Sequence, residues 1–156
     1  MKKVLCMIMA LVLLVSLAAC GVASVTKDAT KNIAAIKEQI ITELAIEDPM
    51  DIPTERLLDL YGIDPASVKD SACFVTMGGA FPDEIIMINA ADSAAADEIV
   101  EKLNTRLADV SNQAQNYDAE SFAQFQKCKV QVQGHCIALF ISAKAEQMQK
   151  IFEEAE

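Results

Sequence analysis

Apolar residues recur at helical spacing from about Thr30 to Ala45. Ile33, Ile36, Ile40, Ile41 and Leu44 fall on one side, with Lys37, Glu38 and Glu43 elsewhere. The stretch Asp48–Pro53 breaks that helix. Thr54–Tyr61 reads as a short helix carrying Leu57, Leu58 and Tyr61, with Gly62 placed to end it. Asp64-Pro65 starts a turn that leads through Lys69 and Asp70 into the first strand, Ala72–Met77. Gly78-Gly79 and Pro82-Asp83 bound a loop, and Glu84–Ala90 is a second strand. Asp92 or Ser93 caps a helix running to about Asn112, with a stripe of Ala96, Ile99, Leu103, Leu107 and Val110. Residues 111–121 are polar and read as a loop, with a turn of helix at Glu120–Gln126. Lys127–Gln133 alternates, Gly134-His135 makes a two-residue hairpin turn, and Cys136–Ser142 is the fourth strand. A last helix spans Lys144–Glu154.

The order strand, strand, helix occurs twice. A shift of 52 residues lays Ile137 on Ile85, Leu139 on Met87 and Ile151 on Ile99. This predicts an α+β fold: N-terminal helices, then a ββαββα repeat forming a four-stranded, mostly antiparallel sheet with helices on one face. With Gly134-His135 as the turn, Gln133 pairs with Cys136, Val132 with Ile137 and Val130 with Leu139, and Cys128 faces Ile141. Ile86, Ile88, Ala138 and Phe140 are then expected to point away from the helix side. An antiparallel sheet facing water there would be polar, so something must cover these four residues. The N-terminal isoleucine helix is one candidate. A partner protein, a second copy or an apolar ligand is the other, which makes the four a candidate partner- or ligand-facing surface.

The first twenty residues change the picture. Lys2 and Lys3 precede an uncharged run from Val4 to Ala19, shorter than the ~20 residues of a comfortable membrane span. The run ends in Leu17-Ala18-Ala19-Cys20, which resembles the bacterial lipoprotein signal. Residues 1–19 are read as a signal peptide. Residues 20–28 are read as a lipidated Cys20 and a short tether, and residues 29–156 as one domain. Acyl chains of the palmitate kind on Cys20 would hold that domain on the extracytoplasmic side of the cell membrane.

Net charge is −10, and both leader lysines are counted in it, so the remaining body is more acidic still. Such a surface disfavours nucleic acid and anionic headgroups. Cys73, Cys128 and Cys136 remain after the tether. The predicted register sets Cys128 and Cys136 on opposite faces, too far for a disulfide. Cys73 and Cys128 can approach if their strands are neighbours, and all three otherwise serve as small buried side chains.

Candidate chemistry is sparse. His135 is the only imidazole, in a predicted turn with no nucleophile clearly arranged beside it. Asp48, Asp51, Asp59, Asp64 and Asp70 match no calcium loop. Gly78-Gly79 lacks the spacing of a phosphate loop. No catalytic residue, metal site or cofactor is expected.

Leu60-Tyr61-Gly62-Ile63-Asp64-Pro65, the Asp-Glu-Ile that opens the second strand, Tyr117 to Glu120 and the late Gly134 occur in this order in a known family. Over about residues 30–155 the chain resembles the lipoproteins grouped as domain of unknown function 4358, found mainly in clostridial-type Firmicutes. The family commonly has an aromatic where Cys136 stands. The resemblance implies an extracytoplasmic lipoprotein of a single-membrane bacterium and brings no activity with it. The expected function is a membrane-anchored, non-enzymatic binding or interaction module for a protein or small molecule. A subunit of an envelope assembly is the alternative, and a small hydrolase a third reading.

Overall fold

The computed structural model describes residues 30–78 and 81–155, so the leader, Cys20 and the tether lie outside the described residues. Helix α1 spans Ile33–Glu43, with the Asn32 side chain accepting from the Ala35 N–H. It buries Ile33, Ile36 and Ile40, the core of the predicted stripe. Strand β1 (Met50–Ile52) follows, then a 3-10 turn at Thr54–Arg56 and α2 (Leu57–Tyr61). Gly62 ends α2 at φ 69, a left-handed conformation that glycine adopts without cost.

A short 3-10 turn at Pro65–Ser67 leads into β2 (Val68–Ser71) and β3 (Cys73–Val75). These are two halves of one extended run: both pair with β4 (Glu84–Ala90), and between them the Ala72 N–H donates to Met87 O. Helix α3 (Ser93–Tyr117) starts on the Asp92 side chain, which accepts from the Ala95 N–H. Helix α4 (Ala119–Phe125), β5 (Val130–Gln133), β6 (Cys136–Ile141) and α5 (Ala145–Glu154) complete the chain.

The sheet has six strands in the order β1-β3-β4-β6-β5, with β2 beside β4, and every pairing is antiparallel. The fold is α+β as expected, with two strands more than the four predicted. β1 is only three residues long and stops at Pro53, while β2 is largely exposed and polar, so neither carries an alternating apolar signal. The hairpin pairs Gln133 with Cys136, Val132 with Ile137 and Val130 with Leu139, as its turn length requires. Cys128 lies before β5 and pairs with nothing in the ladder.

The two faces differ from expectation. β4 pairs with β6 as Ile85↔Phe140, Met87↔Ala138, Ile86↔Leu139 and Ile88↔Ile137. Opposed residues share a face, so Ile86 and Ile88 lie with Leu139 and Ile137, and Ala138 and Phe140 lie on the other side with Met87 and Ile85. Helix α3 covers the Ile86/Ile88 face: its Arg106 reaches Glu84, and its Ala96 and Val100 line a cleft with Val132. The other face is covered by α1 and α5. Phe152 of α5 meets Phe140 edge-on at 6.1 Å, and Lys31 before α1 exchanges hydrogen bonds with Asn89. The helices therefore lie on both faces, not one. β4 and β6 are buried along their whole lengths, and strands apolar on both sides require cover on both.

Residues 113–117 extend α3 beyond the expected end near Asn112, into the stretch expected to be a loop. Ala114 continues the buried stripe four residues beyond Val110 and is fully buried, and its polar neighbours face solvent. Asp118 then breaks the helix at φ −152 and caps α4 by accepting from the Glu120 and Ser121 N–H groups.

Candidate functional site

Ile86, Ile88, Ala138 and Phe140 are each 0 % exposed, so the surface expected to meet a partner is interior. Two of the four are sealed by α3 and two by the α1–α5 layer. Lys31 and Lys144 tie that layer down. Lys31 Nζ donates to Ala155 O and sits over the Phe152 ring, and Lys144 Nζ donates to Leu44 O at 2.7 Å.

An opening lies at the Glu84 end of the sheet. It encloses about 470 Å³ between the turn after α1 (Ala45–Asp48), Thr76–Gly78, Asp83 and Lys144. Ala45 and Asp48 are both left-handed, at φ 46 and φ 48, which is uncommon for residues with a Cβ. Thr76 and Asp83 close the neck of the loop, the Thr76 N–H donating to Asp83 O and the Asp83 N–H to Thr76 Oγ1. Glu47, Asp48 and Asp83 face Lys144 there, so the opening is acidic on balance and repels anions. The other predicted aspartates are scattered. Asp51 pairs with Lys37, Asp59 with Arg56, Asp64 caps Ala66, and Asp70 sits in β2 opposite Asn89.

A charged cluster not anticipated from sequence lies under α3. Glu84 is buried and takes both arms of the Arg106 guanidinium, Nε to Oε2 at 3.0 Å and Nη2 to Oε1. The Tyr61 ring lies under the guanidinium, whose carbon stands 5.9 Å from the ring centre. The bond to Glu84 pushes the Arg106 pKa up. Burial, then the Glu84 charge, pushes the Tyr61 phenol well above its usual range. The three groups satisfy one another, and the cluster closes that edge of the core.

His135 has a partner after all: its Nε2 lies 3.1 Å from Ser93 Oγ at the start of α3. A serine beside an imidazole is the beginning of acyl-transfer chemistry. The amides that would stabilise an oxyanion are taken, however. Ala95 N–H bonds the Asp92 carboxylate and Ala96 N–H bonds Asp92 O. The Asp92 charge would also oppose a developing negative oxygen. The pair instead clasps the hairpin turn to α3.

Cys73, Cys128 and Cys136 are buried free thiols. Burial pushes Cys73 and Cys136 up to about 12 and raises Cys128 as well, which disfavours the nucleophilic thiolate at each. Cys73 pairs beside Ile52 and Cys136 beside Asn89, well apart in the sheet. Among the described residues no group of three or more His, Cys, Asp or Glu side chains is placed to hold a metal ion.

No curated protein and no solved structure matches the chain. Residues 42–142 match the family described as domain of unknown function 4358, a span that starts at the end of α1 and stops just before α5. That match covers well over half of the sequence, and the chain belongs to the domain of unknown function 4358 family.

Proposed function

We propose that the protein is an extracytoplasmic lipoprotein, anchored through Cys20, whose folded body is a non-enzymatic binding or interaction module. The observation that carries this reading is the junction between anchor and body. The lipoprotein-like signal ends at Cys20, and the chain is already bonded into the core at Lys31, through Asn89, Phe152 and Ala155. Even fully extended, the chain between Cys20 and Thr30 reaches roughly 35 Å, so the anchor would hold the body close to the bilayer. Among the described residues no helix is long and apolar enough to cross a membrane. Attachment therefore falls to the leader region. Among the described residues both faces of β4 and β6 are already buried under helices, and the acidity of the chain favours standing off an anionic surface.

The test is metabolic labelling with a palmitate analogue in a host that processes lipoproteins. The native chain is expected to be labelled and to sediment with membranes, and Cys20→Ser to lose the label. A Met77→Cys chain should also react with a membrane-impermeant maleimide added to intact cells, because Met77 is exposed. An unlabelled native chain, or a Met77→Cys chain that is protected until cells are opened, contradicts the reading.

A further inference from the structure

β5 is the terminal strand of the sheet, and among the described residues nothing pairs with its outer edge. A two-residue turn makes Gln133 and Cys136 a hydrogen-bonded pair, so Gln131 also directs its backbone at Ala138. Val130 and Val132 therefore direct their N–H and C=O groups outward. The edge is not blunted as the other one is. β1 is three residues long and is stopped by Pro53, whereas β5 contains no proline.

The edge is self-complementary. Lay a second β5 antiparallel beside the first with the two-fold axis at Gln131. Val130 then falls opposite the partner's Val132, and Val132 opposite the partner's Val130. In both pairs the outward backbone groups meet, which forms four new ladder bonds. Gln131 faces the partner's Gln131 on the axis, and Lys129 faces the partner's Gln133, so no like charges are opposed.

Two unsatisfied features lie along this edge. Val132 is 51 % exposed and lines, with Ala96 and Val100, an open cleft of about 220 Å³ that the partner's Val130 would border. Gln131 is only 7 % exposed, and its Nε2 donates to Glu153 at 2.6 Å while its buried Oε1 has no hydrogen-bond partner. A buried amide oxygen left unpaired is costly. As placed, that oxygen is shut off from a second copy, so it can accept the second N–H of the partner's Gln131 only once the side chain turns outward at the axis.

We propose that this chain forms a two-fold dimer in which β5 pairs with β5 of a second copy about Gln131, joining two six-stranded sheets into one. The dimer does not rest on the lipoprotein reading.

The test uses the full chain in neutral detergent. Paired Gln131 residues occupy a non-hydrogen-bonded site with Cα atoms ~4.5 Å apart, inside the ~4.4–6.8 Å disulfide range. Gln131→Cys is expected to give a disulfide-linked dimer under mild oxidation. Lys129→Cys chains would stand about 14 Å apart along the ladder and should link at least roughly tenfold more slowly. A mixture of Lys129→Cys and Gln133→Cys chains should link to each other. Adding Val132→Lys, an exposed position, should abolish the Gln131→Cys product. Sedimentation of the native chain should give the mass of two copies, and the Val132→Lys chain the mass of one. A native chain of single mass, or equal linking at positions 129 and 131, overturns the proposal. Neither outcome touches the anchor, which palmitate labelling reports separately.

Discussion

At the scale of single residues, the Glu84–Arg106 pair is the most consequential interaction that sequence did not reveal. Glu84 opens a strand of isoleucines, and its partner lies 22 residues away on α3, a distance no local pattern spans. Arg106→Met leaves a carboxylate buried without its counter-charge. Because the guanidinium side chain is 33 % exposed, the loss should fall below that of a fully buried pair, at roughly 2–3 kcal/mol, read by urea unfolding. Glu84→Gln with Arg106→Met should cost less than the two single changes summed. The thiols give a pH prediction. Cys73 and Cys136 titrate near 9 when unfolded and are pushed up to about 12 when folded. The folded state thus holds more protons between those values, so their contribution is intact below about 9 and falls as pH rises toward 12. Urea midpoints should decline over that alkaline window, and less so in Cys73→Ala. Ellman's reagent at pH 8 should leave all three thiols untouched until the chain is denatured.

At the scale of elements, most of the fold was legible where one local rule decides it. The isoleucine stripe located α1, Gly62 ended α2, Asp92 started α3, and the two-residue turn fixed the β5–β6 register. Replacing Asp92 with Ala should lower stability by ~1 kcal/mol through loss of that cap. The relation of β4 to β6 was not legible. A long excursion through α3 and α4 joins them, so no turn length sets whether Ile86 opposes Leu139 or Ala138, and a one-residue difference exchanges every side chain between faces. That is why Ile86, Ile88, Ala138 and Phe140 were grouped as one surface when they belong to two. The last five residues of α3, 113–117, are not legible because polar residues surround Ala114, the one side chain that continues the stripe. Ile40 is fully buried in the layer α1 shares with α5, and Ile40→Ala should cost about 2–5 kcal/mol. An open sheet face with a loosely attached α1 would make that change nearly silent.

At the scale of the molecule, the described residues form a sheet closed on both faces by its own helices, with the β5 edge open to pairing. The matched family region ends where the α1–α5 layer begins on either side, so that cover comes from segments flanking it. Two lysines, Lys31 and Lys144, fasten the layer at opposite ends of α1 by bonds to backbone carbonyls. The helix nearest the proposed anchor is therefore part of the cooperative body and not an extension of the tether. Native-state hydrogen exchange on the intact chain tests this most directly. If α1 is structural cover, the amides from Ile36 to Ile41 open with a free energy within about 1 kcal/mol of those in β4 and β6, as one unit. If α1 exchanges like an unprotected chain while Glu84–Ala90 and Cys136–Ile141 stay protected, the second face stands without it and the account of a closed sheet is wrong.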